Sequence, residues 1–272
     1  MKILISVDIE GVAGVSHSEQ VRSGNPEYEQ ARRWMTAEAN AAIDGAFAGG
    51  ATEVLVNDSH GSFRNLILQD IDARAHIITG KPRYLSMMSG VEQQCQAVFM
   101  VGYHAKSQEA GVLAHTINSF AFRHIRINGQ ALGEAGLYGA LAGEYHTPVA
   151  LITGDDQFIA ETAPLFDQVK TAQTKVAHGF ASCTSLSPKA ACERIRQAAH
   201  EAMAIIPKLR PVVIAAPIVC EIETQTPGQA DLFAQWPTVE RVSSTTLRVR
   251  AASMYETIRI LNCFSAMSFM LR

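Results

Sequence analysis

Three short apolar runs, Lys2–Val7 (KILISV), Glu53–Val56 (EVLV) and Ala97–Val101 (AVFMV), constrain the fold most. Each is of strand length, and none alternates with polar residues. Runs of this kind form strands covered on both faces, as in a parallel sheet sandwiched between helices. Between the first two lies Pro26–Phe47, rich in Glu, Ala and Arg and stopped by Gly49-Gly50, which reads as a long helix. Arg74–Ile78 reads as another strand, Ala131–Gly143 as a helix, Pro148–Ile152 as a strand and Asp155–Ala163 as a helix. This rhythm predicts an α/β fold, with a mostly parallel sheet flanked by helices.

The texture changes after residue 180. Pro188–Ala204 reads as an Ala-rich helix, Pro211–Ala216 as a strand, Ser244–Arg250 as a strand with one wet face, and Met254–Leu271 as a terminal helix. Residues 1–180 are therefore expected to form the main α/β unit and 181–272 a smaller α/β carboxyl-terminal part, or the whole to form one domain.

Composition removes several classes of function. With 23 basic and 26 acidic side chains and a net charge of −3, the 272 residues carry no basic footprint for nucleic acid or an anionic membrane. The apolar stretch Val212–Cys220 is interrupted by Pro217 and falls far short of the ~18 residues of a membrane span. Asp8 breaks the amino-terminal run before it reaches the ~7–15 residues of a secretory core, so that run reads as a first strand and the chain as cytoplasmic. Five scattered cysteines with no CxxC pair leave no disulfide framework and no thiolate zinc site.

The chemistry collects at strand ends. Asp8 and Glu10 follow the first run, Asn57-Asp58-Ser59-His60 the second, and Tyr103-His104 the third. Ligands of open α/β sheets bind beyond the carboxyl ends of strands, so Asp8, Glu10, His60 and His104 are expected at one rim. His115 follows soon after, and Glu134 opens a helix after Gly129 and Gly133. Imidazoles mixed with carboxylates suit zinc or a similar divalent ion. One ion would leave the three carboxylates with one uncompensated negative charge, whereas two ions and a hydroxide bring the cluster to neutrality. Five ligands serve two ions if one carboxylate bridges, and Asp8 is the natural bridge. Singly, each histidine is as well read as packing or solvation, and Asp58-Ser59 as turn chemistry. His17, His76, His124, His146, His178 and His200 have no comparable placement. No GxSxG, GxGxxG or Walker pattern occurs, which leaves metal-assisted hydrolysis.

Taken in order, SVDIEG (Ser6–Gly11), VLVNDSHG (Val54–Gly61), VGYHAKS (Val101–Ser107), AHT (Ala114–Thr116), INGQALGEAGL (Ile127–Leu137) and ITGDD (Ile152–Asp156) carry a likeness over most of the chain. The sequence resembles the zinc-dependent D-aminopeptidase family associated with bacterial dipeptide-transport systems. The resemblance implies two Zn2+ per chain, with Asp8 bridging, Glu10 and His104 completing one shell, and His60 and Glu134 the other. It places His115 as the catalytic residue and makes the first unit the metal-binding, catalytic one. It further implies short peptides with an amino-terminal D-residue as substrates, and a homo-oligomer, a decamer of two stacked rings. Two other readings fit the same residues: a di-metal hydrolase of another amide or phosphoester, and a non-catalytic peptide-binding component. Retention of Glu134 and His115 argues against the binder, which needs no hydrolytic water.

Overall fold

A computed structural model describes residues 1–272. Strand β1 (Lys2–Val7) runs parallel to β2 (Glu53–Asp58) on one side and β4 (Ala97–Val101) on the other, and β3 (Ala75–Ile78) lies outside β2. β7 (Val149–Asp155) and β8 (Lys170–Gly179) continue the parallel sheet beyond β4, and β9 (Ser182–Ser185) closes it as an antiparallel edge. The order is β3-β2-β1-β4-β7-β8-β9.

The side chains of β1 alternate between two cores, as strand geometry requires. Ile3, Ile5 and Val7 face α1 (Pro26–Ala48) and α4 (Pro188–Ile205), whose Ala31, Ala39, Ala42, Ala199 and Ala202 complete a tightly packed layer. Small residues let these two helices come close: Gly45 lies against the Arg196 carbonyl, where a Cβ would not fit. Leu4 faces the opposite core with Val98 and Met100. That core centres on α2 (Glu134–Glu144), in which every residue from Glu134 to Gly143 is buried. A helix that is apolar nearly all round must be enclosed, and a second, antiparallel sheet helps enclose it. This sheet joins β5 (Phe122–Ile127), β6 (Gln130–Ala131), β10 (Ile218–Thr224), β11 (Glu240–Arg241) and β12 (Thr246–Ala251) in the order β11-β12-β10-β5-β6. Helix α6 (Met254–Met267) completes the same core through Ile258, Leu261 and Phe264. Two short helices, α3 (Asp156–Thr162) and α5 (Pro227–Phe233), follow β7 and β10.

The α/β class and the parallel sheet are as expected, and several details differ. Pro211–Ala216 is irregular, and the strand is Ile218–Thr224. Pro211 has no N–H for a ladder, whereas Ile218, Cys220, Ile222 and Thr224 alternate inward with the correct period for the place between β5 and β12. The helix expected from Ala131 begins at Glu134, because Ala131 pairs with Arg126 in β6. The terminal helix ends at Met267 in a tighter turn, Ser268–Leu271. The two sheets interleave across residue 180: β5 and β6 precede it and join β10 and β12, while α4 follows it and packs on α1.

At the carboxyl end of β4, Gly102 has φ +70° and sits against the Asp8 carbonyl and Val12. A Cβ there would strain the backbone and push the Asp8 strand away from the His104 strand. Gly102→Ala should therefore cost more than about 2 kcal/mol of stability. Urea unfolding would show it, and an unchanged midpoint would contradict this packing.

Candidate metal centre

Asp8 leaves β1 with its backbone N–H donating to the Val101 carbonyl (2.8 Å), and Ser59 leaves β2 donating to the Val7 carbonyl (2.9 Å). The three strand ends are therefore locked side by side. The chain turns after Asp8 instead of continuing extended, yet Glu10 returns its carboxylate to the same place. His60 Nδ1 lies 3.1 Å from Glu10 Oε2 and 3.2 Å from Asp8 Oδ1. His104 Nε2 lies 3.6 Å from Asp8 Oδ2 and 3.5 Å from Glu134 Oε1, and His115 Nε2 is 3.7 Å from that same Glu134 oxygen. All six residues singled out from the sequence thus meet. His60 stands with Asp8 and Glu10. The remaining six histidines take no part in the cluster.

The donor set fits divalent metal ions. Asp8, Glu10 and His104 form one group whose ligand atoms lie within 4.8 Å of one another, and His104, His115 and Glu134 form a second. Each histidine has one ring nitrogen against a backbone carbonyl: His60 Nε2 with Val21 (2.8 Å), His104 Nδ1 with Ala105 (2.9 Å), His115 Nδ1 with Leu113 (2.9 Å). An N–H at each of those nitrogens turns the other ring nitrogen toward the carboxylates, where His60 and His104 hold a proton in the metal-free chain and would offer a lone pair to a metal ion that replaces it. His104 Nε2 is buried and has no hydrogen-bond partner. A buried polar atom left without a partner is rare, and here it points between two carboxylates.

A family described as D-aminopeptidase, peptidase family M55, matches residues 1–263. This chain belongs to the D-aminopeptidase family. A D-aminopeptidase of Bacillus subtilis (strain 168) is 35% identical over 257 residues, covering 94% of this chain and 93% of the relative. Among solved structures, the Zn-dependent D-aminopeptidase DppA from Bacillus subtilis, described as a self-compartmentalizing protease, matches with a TM-score of 0.96 at 32% identity. That match covers 99% of this chain and 98% of the other.

Like-charged carboxylates buried together need cations, and without metal the cluster uses protons. Burial and the neighbouring Glu10 push Asp8 up to about 8. Burial opposes charge on His104, but Glu134, Glu10 and Asp8 outweigh it and raise the imidazole to about 10. Burial likewise opposes charge on Glu10, and attraction from His60 overrides it, holding the carboxyl well below its usual range. His115 goes the other way: burial and the stacked His104 ring, 4.1 Å away, lower it. Leu113 and Ile117, two residues either side of His115, have φ +54° and +60°. Such strain in non-glycine residues collects at functional sites.

Supporting residues were not foreseen from sequence. Asn65 donates to the His60 carbonyl (2.6 Å) and to Asp58 Oδ1 (2.7 Å), and accepts from the Tyr28 hydroxyl (2.8 Å). Asp58, read as turn chemistry, also accepts the Asn65 and Leu66 N–H groups, and so builds the loop that presents His60. Tyr28 lies 37 residues from Asn65, and no short motif announces the pair.

The shifts set a sign for the metal-free chain. A raised histidine stabilises the fold below its unfolded value of 6.5 and loses that contribution as pH rises through about 10. Asp8, raised from 3.8 to about 8, changes in the same direction, while the lowered Glu10 and Glu134 stay ionised throughout that range. Chelator-treated protein should therefore lose stability between pH 6.5 and pH 10, and zinc-loaded protein should resist that loss. Urea titrations at three pH values would test this; metal-free stability that rises with pH would contradict it.

Proposed function

We propose that this chain is a zinc-dependent aminopeptidase that removes an amino-terminal D-residue from short peptides, and that Asp8, Glu10, His60, His104 and Glu134 hold two zinc ions. The observation that carries the reading is His104 Nε2, buried without a hydrogen-bond partner between the Asp8 and Glu134 carboxylates, in a family of D-aminopeptidases. When bound, zinc supplies Lewis-acid polarisation of the scissile carbonyl and a lowered pKa for the attacking water. The protein supplies the rest. Glu134, at the first turn of α2, has its charge favoured by the helix amino terminus and accepts the Ile117 N–H (2.6 Å), which anchors the His115 segment to the cluster.

His115 is the proposed catalytic residue. Its side chain is 20% exposed, against 1% for His104, so it faces the side from which substrate enters. Hydrogen-bonded at Nδ1 and with its charge disfavoured, it is neutral near pH 7 and presents a basic Nε2. From there it accepts the proton of the attacking water and delivers it to the departing amine. The cluster encodes no handedness by itself. If the free amine and the carbonyl oxygen are both anchored, a wall beside the α-carbon admits one enantiomer, because the other must release an anchor to fit.

The assembly is proposed as a homo-oligomer, a decamer of two stacked rings enclosing the sites, and the location as cytoplasmic. The self-compartmentalizing relative supports the ring, as do Phe269 and Met270, which stand 60% and 77% exposed at the carboxyl end. No helix is long and apolar enough to cross a membrane.

Two experiments test this reading. Titrating zinc into chelator-treated protein should restore hydrolysis of D-Ala-D-Ala, with saturation near two equivalents per chain; saturation at one would sink the two-ion proposal. L-Ala-L-Ala and amino-terminally acetylated peptides should be turned over negligibly, and equal rates on the D- and L-dipeptides would refute D-specificity. In the second experiment, His115→Ala should keep both zinc ions and lose roughly 10²–10³ in kcat with little change in KM. Loss of an ion from that variant would make His115 a ligand, which its place beside His104 and Glu134 also allows.

A further inference from the structure

The loop Glu10–Val15 runs straight out of the metal cluster, and side chains distant in sequence grip its backbone. Lys175 of β8 is 2% exposed and donates to the carbonyls of Glu10 (2.5 Å), Val12 (2.9 Å) and Val15 (2.6 Å). Its neighbour Thr174 donates to the Gly11 carbonyl (2.6 Å). On the other side Glu38 of α1 accepts the Ala13 N–H (2.8 Å), and Ser185 of β9 accepts that of Gly14 (2.8 Å). Gly11 itself sits so close to the Tyr103 carbonyl that no side chain fits there.

An ammonium has three protons, and all three are used. Taking a charged amine out of water is expensive, so it is tolerated only where its acceptors are complete. The converse also holds: without the ammonium, three inward-turned carbonyls would lose their donor. Glu38 places a second buried carboxyl beside the loop, and its Oε2 has no hydrogen-bond partner. A loop pinned at nearly every peptide group has little freedom to change shape. Of the three carbonyls that Lys175 holds, the first belongs to Glu10 itself.

We infer that Lys175, with Glu38 opposite, is a positioning residue for Glu10: the ammonium holds the Glu10 backbone so that its carboxylate stands ready for metal. The inference rests on the reading of Glu10 as a zinc ligand. Its consequence is selective. Loss of the ammonium loosens the Glu10 carboxylate and leaves that of Glu134, on helix α2, as it was. Removing a residue that supports a ligand typically weakens metal binding about 10–100-fold.

The test is zinc competition against a chromophoric chelator, with parent, Lys175→Met and Glu38→Gln proteins as full-length chains. Circular dichroism and urea unfolding of the metal-free forms run alongside. Lys175→Met should bind one zinc roughly 10–100-fold more weakly and the other within about threefold of the parent. Its kcat should fall with KM little changed. Glu38→Gln keeps an acceptor for Ala13 and removes a carboxyl that burial already pushes up to about 7, and should weaken the same zinc about tenfold, the lower end of that range. A role in stability alone would lower the unfolding midpoint and leave both affinities at the parent's values; that result overturns the inference. Equal weakening of both equivalents overturns it too. If Lys175→Met does not fold, Glu38→Gln decides by the same criteria. A parent that takes up a single zinc overturns the two-ion reading instead, and the variants are then compared with the parent at that one site.

Discussion

The parallel register of β1 between β2 and β4 is the constraint on which the rest of the molecule depends. Val7 pairs with Asp58 on one side and Val101 on the other, so the residues that follow each strand emerge together. A cross-tie secures this arrangement: the Ser6 hydroxyl lies 2.7 Å from both the Tyr103 and the Ser59 hydroxyls. Slippage of one strand by one residue would turn its side chains to the opposite face and scatter the cluster. The apolar strands and the enclosing helices hold that register against the repulsion of the carboxylates they bring together.

That repulsion gives the site its affinity for cations. Asp8, Glu10 and Glu134 are each under 5% exposed, and water cannot screen them from one another. Protons on His60 and His104 offset the charge in the metal-free chain, and divalent ions take over that task when bound. The hydrogen bonds of the three imidazoles to backbone carbonyls lower the reorganisation that metal binding would require, since the other ring nitrogen of each already faces the carboxylates. The gripped Glu10–Val15 loop serves the same end through the backbone.

The site was more legible in the sequence than the scaffold around it. His60 and His104 follow their strands at once, so strand recognition alone placed them at one rim. Their mutual contacts were less accessible: His60 meets Asp8 and Glu10 through a turn after Asp8 that no spacing encodes. The second sheet was half read. Phe122–Ile127 joins a strand nearly 100 residues later, and the charged residues of FRHIRI obscured its inward positions. Pro211–Ala216 looked like a strand by composition, but only pairing partners decide between it and Ile218–Thr224. Lys175 was illegible. In a strand that alternates polar and apolar residues a lysine reads as solvent-facing, and only the arrival of three carbonyls from residues 10–15 makes it a buried one.

The central claim is that these strand ends assemble a zinc pair held by imidazole and carboxylate. Zinc K-edge X-ray absorption on the zinc-loaded chain measures it most directly. The account predicts nitrogen and oxygen ligands at roughly 2.0–2.2 Å, no sulfur shell near ~2.3 Å, and zinc–zinc scattering at about 3.5–4 Å. An isolated zinc with no metal neighbour, or a sulfur shell, would contradict it.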